Sequence, residues 1–195
     1  MQPNRYFDRH FNQNAVKILP GEYYATSEKN MIVTVLGSCV SVCLRDSVTK
    51  VGGMNHFLLP GTEEVGSENL LSESARYGTF AMEVLINELL KLGASRSRLE
   101  AKVFGGGNVM QGLTLGNVGG RNAEFVLNFL ALEQIPVLAE DLLGPYPRKI
   151  YFFTETGEVK VRKIKSLHNT TIVDRESEYR LRIKQHKPTG DVDLF

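Results

Sequence analysis

Met31-Ile32-Val33-Thr34-Val35-Leu36-Gly37-Ser38-Cys39-Val40-Ser41-Val42-Cys43-Leu44-Arg45-Asp46 opens the stretch that decides the fold, and Val51-Gly52-Gly53-Met54-Asn55-His56-Phe57-Leu58-Leu59 closes it. Both halves are β-branched and apolar, which predicts three strands converging near Cys39: Met31 to Leu36, Val40 to Leu44 and Val51 to Leu59. Asp46-Ser47-Val48-Thr49 is turn-like. A hairpin centred there sets Cys39 directly opposite His56, and opposed residues share a face with Cβ atoms about 4.5–5.5 Å apart. A thiol and an imidazole so placed can form a thiolate nucleophile and its base. Gly37 and Ser38 interrupt the apolar run and leave a bendable approach whose N–H groups are free to face a substrate. Gly52 and Gly53 offer a bulge site, and a one-residue slip would send His56 to the other face. The plainer reading is a core hairpin with a buried free cysteine.

Composition narrows the classes. The chain has 195 residues, 42% of them hydrophobic and 23% charged, which suits one globular domain with a sizeable core. A formal net charge of +1 gives no electrostatic argument for nucleic acid or for an anionic membrane. No apolar stretch approaches the roughly 20 residues of a membrane span. Met1 to His10 lacks an apolar signal core, so membrane insertion and export are not expected and the cytoplasm is the expected location. Cys39 and Cys43 are the only cysteines. On one strand they stand about 13 Å apart, beyond disulfide reach. With four scattered histidines and no short ligand spacing, no metal is expected. Cys43, deeper in the apolar run, reads as core.

Around this stretch, residues 1–14 read as a polar N-terminal arm, 15–164 as the core domain and 165–195 as a C-terminal extension. Ala15 to Leu19 and Tyr23 to Thr26 form short strands about Pro20-Gly21. Thr62 to Asn69 is an acidic loop beside the hairpin. Ser74 to Leu92 is a helix whose stripe is Ala81, Val84, Leu85, Leu89 and Leu92, stopped by Gly93. Lys102 to Phe104 is a strand leading into Gly105-Gly106-Gly107-Asn108. That loop fits neither nucleotide-binding spacing and instead allows a close backbone approach to the site or to a partner. Gly119-Gly120-Arg121 opens a second amphipathic helix, Ile135 to Ala139 is a strand, and Glu155-Thr156-Gly157 joins a last hairpin. Two strand–helix–strand passages plus hairpins predict a single α+β domain with mixed and antiparallel sheets and helices on the outside, a layered α/β/β/α-like arrangement with a helix on each side. The tail mixes acidic and basic residues without a large apolar stripe. It reads as a solvated extension or as a docking peptide ending in Leu194 and Phe195.

Leu36-Gly37-Ser38-Cys39-Val40-Ser41-Val42-Cys43-Leu44-Arg45-Asp46, followed by Gly52-Gly53-Met54-Asn55-His56-Phe57-Leu58-Leu59-Pro60, resembles the CheD family, the chemoreceptor glutamine deamidases of bacterial chemotaxis. Further similarity runs through Tyr77, Leu99-Glu100-Ala101-Lys102, Val118-Gly119-Gly120-Arg121-Asn122 and Leu138-Ala139-Glu140-Asp141. The resemblance implies hydrolysis of glutamine side-chain amides on the coiled-coil cytoplasmic domains of methyl-accepting chemotaxis receptors, giving glutamate and ammonia without a cofactor. It implies Cys39 as nucleophile and His56 as base, with a threonine orienting the histidine. Thr34 is the nearby threonine, and a spacing shifted by one residue would put Val33 there. Two other classes compete: a non-catalytic or dual-role adaptor binding receptors or a CheC-type phosphatase, and a cysteine amidase acting on small molecules.

Overall fold

Strand-forming sequence builds two sheets here, and the Gly37-Ser38-Cys39 segment crosses from one to the other. The computed structural model describes residues 4–60, 67–109, 117–164 and 171–185. The first sheet has the order β1 (Asn4–Asp8), β2 (Gln13–Lys17), β4 (Met31–Leu36), β9 (Arg148–Phe153), β10 (Val159–Lys163). The second has the order β3 (Tyr23–Thr26), β6 (Gly52–Asn55), β5 (Val40–Asp46), β7 (Leu99–Gly105), β8 (Val137–Leu142). Both are mixed, with parallel pairs β2–β4 and β7–β8 among antiparallel neighbours. Among the described residues three α-helices complete the fold: α1 (Ser67–Lys91), α2 (Val118–Leu132) and α3 (Thr171–Gln185). None of the described helices is long and apolar enough to cross a membrane.

Alternation along β4 decides where the cores lie. Ile32, Thr34 and Leu36 point between the sheets, where Ile32 and Leu36 join Val16, Ile18, Ile150 and Phe152 against Cys39, Cys43, Met54, Leu58 and Phe104. Met31 and Val33 point outward to a small cluster with Ala15 and Tyr151. The other face of the second sheet carries the largest core, in which Val40, Val42 and Leu44 meet Leu85, Leu89, Val126 and Leu130. Burying a side chain of this size fully is worth about 1.5–3 kcal/mol.

Both α1 and α2 pack on this second sheet, where a helix on each side was expected. Topology is the reason. The passages β6–α1–β7 and β7–α2–β8 step in the same direction across one sheet, and right-handed crossovers taken in one direction put their helices on one face. Chain ends differ from the sequence reading as well. Asn4–Asp8 is a strand paired antiparallel to β2, not a loose arm. Residues 171–185, expected to be solvated, form a helix that buries Glu176 and Tyr179. Leu194, Phe195 and Thr62 to Gly66 lie outside the described residues.

The hairpin register also differs. Arg45 pairs with Gly52, Cys43 with Met54 and Val40 with Phe57, so Cys39 sits diagonal to His56 instead of directly opposite. Asp46 causes the shift. Its Oδ1 accepts from the N–H groups of Val48 at 2.8 Å and Thr49 at 3.1 Å. The Asp46 N–H donates to Val51 O at 2.9 Å, and Lys50 takes a positive φ of 64°. The turn therefore centres one residue later than the sequence implied. Moving the centre by one residue moves the register by two, an even number, which leaves Cys39 and His56 on one face.

Candidate active site

Cys39 ends the crossing between β4 and β5, and its surroundings orient every peptide of that crossing. The glycine loop after β7 takes the carbonyls: Gly107 N–H donates to Gly37 O and Gly106 N–H to Cys39 O, both at 2.8 Å. Asn122 of α2 donates its Nδ2 to Ser38 O at 2.8 Å, while its Oδ1 accepts from the Leu59 N–H at 2.9 Å. Gly105 has to be glycine on two counts, a φ of 113° and a position where a Cβ would stand 2.2 Å from Cys39 O. With the carbonyls held on one side, the N–H groups of Gly37, Ser38 and Cys39 all turn to the other. Three peptide donors thus converge beside one thiol.

His56 follows β6 and is held by its own backbone, donating to Glu22 O at 2.9 Å and accepting from Gly21 N–H at 2.7 Å. Its Nδ1 lies 2.7 Å from Thr34 Oγ1, and that hydroxyl donates to Ile18 O at 2.8 Å. A hydroxyl has a single proton, and here Ile18 O takes it. Thr34 Oγ1 therefore accepts from Nδ1–H, which leaves Nε2 as the unprotonated nitrogen. Nε2 is buried with no hydrogen-bond partner among the described residues. Burial pushes the imidazole pKa down from 6.5 to about 4, against the opposing pull of the Glu176 carboxylate, so the ring is neutral at pH 7. Thr34, not Val33, faces the histidine, since Val33 belongs to the outward face of β4.

Glu176 of α3 occupies the N–H cradle. One carboxylate oxygen accepts from Gly37 N–H at 2.9 Å and Cys39 N–H at 3.2 Å. The other accepts from Ser38 N–H at 3.0 Å and Ser38 Oγ at 2.7 Å. The carboxylate also lies against the Cys39 thiol, which burial first and this negative charge second push well above the ordinary thiol range. Cys39 and His56 are both buried. A small pocket at His56 is lined by Ile18, Pro20, Thr34, His56, Arg175 and Glu176. The Tyr179 hydroxyl, one helical turn on, hydrogen-bonds that of Tyr77 on α1. Among the described residues no three His, Cys, Asp or Glu side chains gather as a metal-ligand cluster. Cys43 lies in the inter-sheet core, where burial pushes its thiol up.

Of the three residues singled out from sequence, Thr34 from the first sheet and His56 from the second meet directly, while Cys39, at the crossing between the sheets, sits diagonal to His56 on the same face with no hydrogen bond from its thiol to Nε2 among the described residues. Glu176 was missed. Its only signal is the spacing Glu176, Tyr179, Ile183 along α3, a stripe with one acid and two larger side chains that is too short to stand out in a charged segment.

A family model described as CheD chemotactic sensory transduction matches residues 58–163. A protein of Shewanella oneidensis named probable chemoreceptor glutamine deamidase CheD 1 is 70% identical over 194 residues, covering 100% of this chain and 94% of its own length. The chain belongs to the CheD family. Family members named probable chemoreceptor glutamine deamidase CheD from Methylobacillus flagellatus and CheD 1 from Dechloromonas aromatica are 58% and 56% identical, each over 98% of this chain and covering 95% and 94% of their own lengths. The CheD family model begins after His56, whereas the alignment with the Shewanella relative spans the crossing and the histidine too.

Proposed function

We propose that this chain hydrolyses the side-chain amides of glutamine residues on the cytoplasmic domains of methyl-accepting chemotaxis receptors, with Cys39 as nucleophile, His56 as general base and acid, and Thr34 as the residue that orients the imidazole. The observation that carries the proposal is the hydrogen-bond chain Ile18 O, Thr34 Oγ1, His56 Nδ1, which leaves Nε2 free to take a proton on the face shared with Cys39. The names of the full-length relatives support the substrate class.

The chemistry follows from the groups present. His56 Nε2 takes the thiol proton, and the Cys39 thiolate attacks the amide carbon. Negative charge then develops on the amide oxygen, and the N–H groups of Gly37 and Cys39 are the donors set to receive it, since they already converge on one oxygen of Glu176. One such donor is typically worth about 3–4 kcal/mol of transition-state stabilisation. The imidazolium gives its proton to the departing nitrogen, so ammonia leaves and a γ-glutamyl thioester remains. A water deprotonated by the same Nε2 hydrolyses the thioester, releasing glutamate and restoring the thiol. Thr34 stabilises the imidazolium as the carboxylate does in better-known triads, though less strongly because it is neutral.

The test is mass spectrometry of a receptor cytoplasmic fragment incubated with the wild-type protein and with Cys39→Ala. A gain of about 1 Da at particular glutamines is expected with the wild type and not with the variant, as amide hydrolysis through the thiol requires. No gain with the wild type sinks the proposal. Turnover of free glutamine with receptor glutamines untouched would favour a small-molecule amidase.

A further inference from the structure

Helix α3 is exposed at Asp174, Arg175, Ser177, Glu178, Leu181 and Arg182, yet sends Glu176 to the bottom of the site, where it is 2% exposed. Burying a carboxylate is costly unless its oxygens are fully hydrogen-bonded. Here four donors meet it, three of them peptide N–H groups of the crossing that carries the thiol. These are the donors an amide oxygen requires during attack by Cys39. A glutamate carboxylate is also what glutamine deamidation leaves behind, and it is presented here from an α-helix, as a receptor coiled coil would present its own. The fit is close, since a Cβ added at Gly37 would stand 2.7 Å from Glu176 Oε1. Tyr179 anchors the next turn against Gly21, where an added Cβ would stand 2.6 Å from its ring. With α3 seated, Cys39 is 0% exposed, so no external glutamine reaches the thiol.

We infer that α3 is a tethered product mimic: Glu176 fills the seat of the glutamate product, and α3 and a substrate helix compete for one groove. The inference rests on the deamidase reading and adds regulation to it. Activity then requires α3 to leave, and whatever draws α3 away turns the enzyme on. Substrate and α3 being mutually exclusive, the apparent rate falls by the fraction of time the groove is occupied.

The deepest consequence is that an amide placed at position 176 becomes a substrate in cis. In Glu176→Gln, Cys39 Sγ bonds to the introduced amide carbon, the carbon–nitrogen bond breaks and the nitrogen leaves as ammonia with the proton taken from the thiol. One water then supplies hydroxide to the carbon and returns a proton to the sulfur, regenerating glutamate. Purified Glu176→Gln and Cys39→Ala/Glu176→Gln proteins are followed by peptide mass spectrometry at residue 176, beside Glu176→Ala assayed on a receptor fragment. The expected results are a gain of about 1 Da at residue 176 only where Cys39 is present, and a rise of about tenfold in the initial rate of Glu176→Ala on the fragment, the effect of freeing a groove that is open about a tenth of the time. Circular dichroism checks that the variants are folded. An unchanged amide at 176, together with a wild-type rate for Glu176→Ala on a fragment that the wild type does deamidate, overturns the inference and leaves the deamidase reading standing. No conversion of either substrate by any variant overturns the deamidase reading itself.

Discussion

Replacing Thr34 with valine removes one hydroxyl, nearly keeps the side chain's shape, and strikes the group that assigns the proton on His56. Thr34 is buried, so nothing from solvent replaces the hydroxyl. Two groups lose their partner, Ile18 O and His56 Nδ1–H. A buried polar group left unsatisfied costs about 1–3 kcal/mol, so the fold should lose roughly 2–6 kcal/mol, against the 5–15 kcal/mol of a typical domain. In the proposed reaction the hydroxyl stabilises a developing imidazolium through one hydrogen bond. Losing about 1.5–3 kcal/mol there slows the chemical step by about ten- to a hundredfold, at 1.4 kcal/mol per factor of ten. The rate of receptor-fragment deamidation, read by mass spectrometry, measures the second effect and urea unfolding the first. Long-range nitrogen–proton NMR on the imidazole reports which nitrogen holds the proton. Thr34→Ser keeps the hydroxyl and should recover most of the rate while losing the packing of the methyl group. The reasoning is refuted if Thr34→Val keeps the wild-type rate with Nδ1 still protonated, or if serine and valine slow the reaction equally.

Acid should weaken the fold through His56. Burial holds its folded pKa at about 4 against an ordinary 6.5, so below about pH 6.5 the unfolded chain takes up a proton that the folded chain refuses. Stability present above pH 6.5 is therefore lost on the way down to about pH 4, by roughly 3 kcal/mol; denaturant midpoints across that window should fall more steeply for the wild type than for His56→Gln, and parallel slopes would contradict it. Gly105→Ala forces a side chain into a left-handed backbone against Cys39 O, so it should cost at least about 1–3 kcal/mol and displace the N–H cradle as well. An unchanged melting temperature and rate in that variant would show that the glycine loop does not hold the crossing in place.

The glycine cradle and the two-sheet core are legible in the sequence to different degrees. β-branched runs, Gly-Pro punctuation and helical stripes are local signals, and they located most strands of both sheets and the body of α1 and α2, but they missed β1, which was read as an arm, and the first turns of α1, which begins at Ser67 and not at Ser74. Asp46 shows the limit. Its side chain recentres the turn by accepting two N–H groups while Arg98 donates to its other oxygen at 2.8 Å and Ser95 N–H at 2.9 Å. Hydrogen bonds from that arginine and those peptides overcome the cost of burial and hold the carboxyl well below the usual range. The partners arrive from about fifty residues away, so no window around the hairpin contains them.

What the chain carries in its own order is the chemistry: one thiol after Gly37-Ser38, one histidine on the returning strand, and a parity that keeps both on one face whether the turn centres early or late. Thr34 was nearby in sequence, but its claim over Val33 depended on which side of β4 faces the second sheet, a matter of packing between sheets. Glu176 depended on tertiary structure altogether. Nothing local distinguishes it from the other acids of a charged helix, because its significance comes from three peptide N–H groups about 137–139 residues earlier in the chain. Those donors are aimed only after the glycine loop and Asn122 have taken the carbonyls on the opposite side. Backbone hydrogen-bonding groups carry no residue-specific signature, so a site built from them becomes visible only once the chain has folded around it.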